Sequence, residues 1–458
     1  MKKYAVFVIL VSLVALFGFA FISTHFQPVD SLIRPPQAEG ENYSIQLAFK
    51  EAVGEDCLLK QPISGNYRSA YTFIDLTGDR NDEVIVFYSK SDELGIVRMN
   101  VLDKTDGGWV SIADFQSVHN DIQEIDFADL NGDGTKEIIV GWTVSGDSYS
   151  KLITVYHICN DNDKTVIEPI YGDYYSAFKV SDIDCDGRND ILSLKYSTAG
   201  NAAEYTATLL SYGINGISER GSFALDNSIS SVAAVNFDFI DNENIKRIYV
   251  DGYKFDGGMI TDCFLWKETD ENFKRYNVAG TTVGAISSRT SSVLCRDINS
   301  DGVIEVPTEE FLPNISADSN EALSAVRNGY LGQSIISWVT VSENAATPVE
   351  RHLIMSQYGY SFKFSEKWLG GVSVINDPQK GVLTFWSVDF KDGVPVRNRK
   401  LFSIMTLTDI DLETIGEISF SYSQITQLKG RFYYSRIFDA GVEYGITKKE
   451  IKQRIIAG

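Results

Sequence analysis

The stretch "DFADLNGDGTKEIIVGW" (126–142) sets Asp129, Asn131, Asp133 and Glu137 close together and then runs into an apolar strand. Calcium takes six to eight oxygen ligands, and a tight loop offers them from alternating positions. With Asp129 as position 1, Asn131 and Asp133 fill positions 3 and 5, the carbonyl of Thr135 fills position 7, and Glu137 fills position 9. Gly134 stands at position 6, where a positive φ is cheap only without a Cβ. An EF-hand would need a bidentate Glu at position 12 and a helix on each side. Position 12 is Val140, inside an apolar run, so the loop reads as a calcium turn between two strands.

The pattern recurs. "YTFIDLTGDRNDEVIVFY" (71–88), "FKVSDIDCDGRNDILSLKY" (178–196) and "SVLCRDINSDGVIEVPTEE" (292–310) repeat it, and "AAVNFDFIDNENIKRIYVDGY" (233–253) is a worn copy. First Asp residues at 75, 129, 182, 238 and 297 give a period of 53 to 59 residues. The third copy offers Asp182, Asp184, Asp186, the carbonyl of Arg188, and Asp190; the fifth offers Asp297, Asn299, Asp301, the carbonyl of Val303, and Glu305. The first keeps Asp75, Thr77, Asp79 and Glu83 but has Arg80 at the glycine position, which makes it a weaker candidate. The fourth has Ile240 and Lys246 where ligands belong and is expected to be metal-free.

Between the loops, alternating stretches such as "GIVRMNVLD", "GGWVSIADF" and "KLITVYHIC" predict further strands, about four per repeat. Sheets of this kind cannot bury both faces alone and must stack on their neighbours. The expected fold is therefore mainly β: a β-propeller of four-stranded blades, with five repeats visible and five to seven blades in all.

Around this body, "MKK" precedes an uncharged run over residues 4–22. At 1.5 Å per residue such a run reaches most of the way across a bilayer core of ~30 Å. The positive flank is N-terminal only, which places the body outside the cytoplasm. Residues 1–22 read as a signal anchor or, if cleaved after the mediocre Gly18-Phe19-Ala20 site, as a signal peptide of a secreted protein. Residues 23–56 read as a linker and a short amphipathic helix with Ser44 as N-cap, Gly54 as stop, and Ile45, Ala48, Phe49, Ala52 and Val53 on one face. The propeller spans 57–352. Residues 353–458 read as a small α+β domain ending in a helix with a Thr447/Glu450 capping box.

D-x-[DN]-x-D-G-x-x-[DE] followed by an apolar strand resembles the FG-GAP/VCBS repeat of integrin-α-like propellers. The whole arrangement of anchor, loops and "YSFKFSEKW" tail resembles surface proteins of Gram-positive anaerobic bacteria. The resemblance implies calcium at the loop positions in a structural role, and the departures at Arg80 and in the fourth copy weaken it there.

A net charge of −21 argues against a nucleic-acid partner, since phosphates need a surplus of Lys and Arg on some face. Five scattered cysteines fit no zinc site and read as small buried hydrophobes, one or two disulfides being the alternative. No H-E-x-x-H, G-x-S-x-G or P-loop is present, and only His25, His119, His157 and His352 could serve a His-dependent mechanism. Two functions are carried forward. One is a non-enzymatic cell-surface propeller, stabilised by calcium and binding an extracellular protein or glycan. The other is an exported polysaccharide-acting hydrolase or lyase with a cleft on the propeller face.

Overall fold

The computed structural model describes residues 40–93, 95–144, 147–161, 164–197, 204–240, 245–315, 333–415 and 421–457. The segment 4–22 lies outside them; among the described residues no helix is long and apolar enough to cross a membrane. The chain forms two compact units, one chiefly of residues up to Gly172, the other chiefly of residues beyond it together with Asp129–Gly132.

The fold is mainly β and built from antiparallel sheets. In the first sheet, Cys57–Leu59 and Tyr71–Ile74 both pair with Glu83–Lys90, followed by Arg98–Thr105 and Gly108–Gln116. Three four-stranded sheets follow: Ile122–Ala128 to Lys164–Tyr175, Ala177–Ser181 to Gly216–Ala224, and Ile229–Phe239 to Asn272–Arg275. A fifth sheet runs from Val306–Phe311 through Ser334–Val341, Ala346–Met355 and Tyr360–Lys363. A sixth is ordered Val372–Asp377, Val382–Lys391, Val394–Thr408, Arg431–Ile437, Ser423–Leu428. Residues 353–458 thus supply both the sixth sheet and part of the fifth.

The strand after each of the first four loops is an inner strand of its sheet, whereas Val306–Phe311, after the fifth, stands at a sheet edge. Val84 to Tyr88 are fully buried, and their pleat sends alternate side chains to opposite faces. Ile85 and Phe87 pack with Ile125, Ile138, Val140 and Trp142 of the second sheet, whereas Val84, Val86 and Tyr88 pack beneath the helix Glu41–Val53. That helix buries Ile45, Ala48 and Phe49, with Phe49 set edge-on to Tyr88 at 5.2 Å. Burial of a Phe or Ile side chain contributes about 1.5–3 kcal/mol, so the helix serves as a lid on a sheet face that would otherwise meet water. In the other unit the third and fourth sheets share one core, the fourth and fifth a second, and the fifth and sixth a third.

Two local expectations are corrected. The N-terminal helix begins at Glu41 rather than after Ser44, because Ser44 already donates its N–H and Oγ–H to the Gly40 carbonyl one turn back. The C-terminal helix Lys448–Arg454, capped by Thr447 as expected, is not the end of the fold. Ile455–Ala457 continue as a strand on the open edge of Tyr360–Lys363, where apolar Ile455 gains the fifth sheet's core.

Candidate metal centres

Four acidic loops share one backbone design. Positions 4 and 6 are both left-handed in each: Gly78 and Arg80, Gly132 and Gly134, Cys185 and Gly187, Ser300 and Gly302. The requirement at position 6 was visible in the sequence, but position 4 was masked by Cys185 and Ser300. Two left-handed residues two apart wrap the loop so that backbone N–H groups point inward at the carboxylates. The position-5 carboxylate accepts the N–H of position 7 in every case: Asp79 from Asn81, Asp133 from Thr135, Asp186 from Arg188, Asp301 from Val303, at 2.7–2.9 Å. The position-1 carboxylate accepts from position 4 at Asp75 and Asp129, and from position 6 at Asp75, Asp182 and Asp297.

Position 9 opens the core strand and lies inside the protein. Glu83, Glu137, Asp190 and Glu305 are 0–4% exposed. In the first, third and fifth loops this carboxylate reaches back to the N–H of position 2: Glu83 to Leu76 at 2.7 Å, Asp190 to Ile183 at 2.9 Å, Glu305 to Ile298 at 2.9 Å. Burial pushes all three carboxyls up from their ordinary values, Asp190 to about 6. In the second loop Glu137 meets His157 Nδ1 at 3.0 Å, a partner 20 residues away that the motif did not announce.

The loops differ in what they bring together. In the third, one oxygen each of Asp182, Asp184 and Asp190 lies within 4.8 Å of the others, while Asp186 turns onto the Arg188 guanidinium at 2.7 Å. In the fifth, Asp297 and Asp301 are close enough to Glu305 to add to the rise in its carboxyl pKa. Asn299 Oδ1 accepts the Asp301 N–H at 3.0 Å. In the first, Thr77 Oγ donates to Glu83 at 3.2 Å and so occupies an oxygen that a cation would need. In the second, Asp133 accepts both the N–H and the hydroxyl of Thr135, while Asn131 is half-buried. The fourth copy has replaced its site: Asp238 forms a buried pair with Arg247 at 2.7 Å and accepts the Ile304 N–H.

Two buried carboxylate oxygens, Asp182 Oδ1 in the third loop and Glu305 Oε1 in the fifth, have no hydrogen-bond donor among the described residues. A buried acceptor left without a donor costs free energy that a cation would recover, and a set of hard carboxylate and amide oxygens suits calcium rather than a soft metal. The donor sets of the third and fifth loops therefore fit the ion.

Elsewhere, a recess of about 310 Å³ is lined by Lys254, Asp256, Ser288, Arg289, Thr290 and Glu309. Its carboxylates are engaged: Glu309 accepts from Thr290, and the hydrogen bond from Lys254 holds Asp256 below the usual carboxylate range, the wrong direction for a general acid. Of the closely spaced tyrosines Tyr171, Tyr174 and Tyr175 in "IYGDYYSAF", Tyr175 is buried and Tyr174 exposed. Compared with known proteins, the chain matches no family model and no curated protein.

Proposed function

We propose that the protein is a non-enzymatic β-propeller of the FG-GAP/VCBS kind, held at the cell surface by its N-terminal segment, with calcium in its acidic loops and an extracellular protein or glycan as partner. The observation that carries the metal reading is the pair of buried, donorless oxygens on Asp182 and Glu305, each in a loop of the same repeated design. The blade reading is supported by the shared cores of neighbouring sheets: the first with the second in one unit, and the third with the fourth, the fourth with the fifth and the fifth with the sixth in the other. Touching loops support it too: the Lys136 N–H donates to the Leu76 carbonyl at 2.7 Å, linking the second repeat to the first.

Calcium in this reading joins the start of each core strand to the turn before it. The ligands are consumed in holding the ion and the strand, so the metal serves rigidity and leaves exposed loops and faces to recognise a partner. The test is a calorimetric titration of calcium into the full chain freed of metal by chelator. Binding heat that survives an excess of magnesium, which demands tighter octahedral geometry, is expected. Absence of calcium heat overturns the metal reading.

A further inference from the structure

The third loop has the tightest carboxylate cluster among the described residues, yet cations are already in place there. Arg220, on the strand Gly216–Ala224, pairs through Nη1 with Asp184, whose side chain is 2% exposed. Its guanidinium lies over the Trp266 ring at 5.2 Å. Lys246 Nζ lies 2.5 Å from the Asp182 carbonyl oxygen and 2.9 Å from Ser181 Oγ. Lys246 occupies position 9 of the worn fourth copy, so the residue that removed a ligand from its own loop places a charge on the loop before it.

The placing of Arg220 has a backbone cause. Leu209 pairs with Gly221 and Leu210 with Glu219, which leaves Arg220 as the extra residue of a β-bulge. Bulges re-aim a side chain out of the regular pleat. The first and fifth sheets carry a bulge at the same register, two strands across from positions 10 and 11 of their loops, but the extra residues there are Ile112 and Val349. Gly221 completes the seat, because an added Cβ would stand 2.9 Å from the Trp266 ring. The bulge is thus general to these sheets, and the cation on it belongs to the third.

The fifth loop is the opposite case. Asp297, Asp301 and Glu305 make no ion pair among the described residues; their hydrogen-bond donors are backbone N–H groups and the Asn299 amide.

We propose that Arg220 and Lys246 are resident counter-ions of the third loop, so that calcium fills the fifth loop first and enters the third only by displacing Arg220 from Asp184. This rests on the metal reading above and orders the sites within it. Filling is then graded: the fifth loop is saturated at calcium levels that leave the third closed by its own arginine.

The test is calcium calorimetry on the full chain, comparing wild type, Arg220→Gln, Arg220→Lys and the double variant Arg220→Gln/Asp184→Asn, each checked for a native melting transition. Arg220→Gln is expected to tighten one binding event about tenfold, the size of one lost charge competitor. Arg220→Lys should stay near wild type, and the double variant should lose the tightened event. Calcium heat in wild type with no change in Arg220→Gln overturns the counter-ion proposal and leaves the metal reading standing. No calcium heat in any of the four overturns both. If Arg220→Gln does not melt as a folded protein, Arg220→Lys decides: retained cationic charge with tenfold tighter binding would contradict the proposal.

Discussion

Glu305 and Ile298 are joined across the neck of the fifth loop: the buried carboxylate accepts the Ile298 N–H through Oε2 at 2.9 Å and leaves Oε1 without a donor. Asp190 and Ile183, and Glu83 and Leu76, stand in the same relation. One oxygen fastens the turn to its strand, and in the fifth loop the other is presented to whatever the loop encloses.

Replacing Glu305 separates these two tasks. Glu305→Ala strands the Ile298 N–H and is expected to cost about 1–3 kcal/mol in chelator. Glu305→Gln retains a carbonyl acceptor and should cost less in chelator, but lose the added stability that calcium gives. Urea denaturation with and without chelator reads both effects.

Two left-handed positions of the first loop should respond in opposite directions to substitution. Arg80 has φ 73°, which a side chain adopts at a cost; Arg80→Gly should raise stability by about 0.5–1 kcal/mol after the entropy of glycine is subtracted. Gly78 has φ 76°, and a Cβ there would stand 2.3 Å from the Gly134 carbonyl oxygen. Gly78→Ala should cost about 2 kcal/mol or more, read as a shift in the denaturation midpoint.

Arg289 and Asp251 form an ion pair with both side chains fully buried, 2.8 Å apart. The pair is well supplied: Arg289 also donates to Thr261 Oγ and to the Ser287 and Val293 carbonyls, and Asp251 accepts the Cys295 N–H. Arg289→Met leaves a buried carboxylate uncompensated and is expected to cost about 3–5 kcal/mol. The same urea midpoint measures it.

Acid should weaken the fifth sheet through His352. Burial lowers its pKa although Glu350 stands 2.8 Å from Nε2. The unfolded chain, titrating near ~6.5, therefore takes up a proton more readily than the folded one. Stability is full above that value and falls as pH drops from it toward the lowered folded value. Glu350, held below its usual range by Lys363 and His352 against the effect of burial, adds a further loss at lower pH. Melting temperature between pH 7.5 and 5 should fall more steeply in wild type than in His352→Asn.

How much of this was legible in the sequence differs by residue. The hairpin character of the loops followed from position 12, where Val86, Val140, Ser193 and Thr308 stand in place of the Glu of an EF-hand and a strand has already begun, and Glu83 to Tyr88 became the core strand that "EVIVFY" describes. The inward turn of position 9 was readable as a ligand position but not as a clamp on position 2, since a backbone N–H carries no sequence signature. The sixth sheet was foreseen only as separate strands, because the turn between Val372–Asp377 and Val382–Lys391 uses ordinary turn residues in place of an acidic loop. Arg220 could not be connected with Asp184 from sequence. The bulge that aims it depends on a register two strands away.

The most direct test is thermal melting of the full chain in excess calcium and in excess chelator. At a free concentration of 100 times Kd a single site adds about 2.7 kcal/mol, which for a chain of 458 residues melting together is a rise of about 3 °C per site. Asp133→Ala and Asp186→Ala should each remove part of that rise. Identical melting in calcium and in chelator would contradict the account.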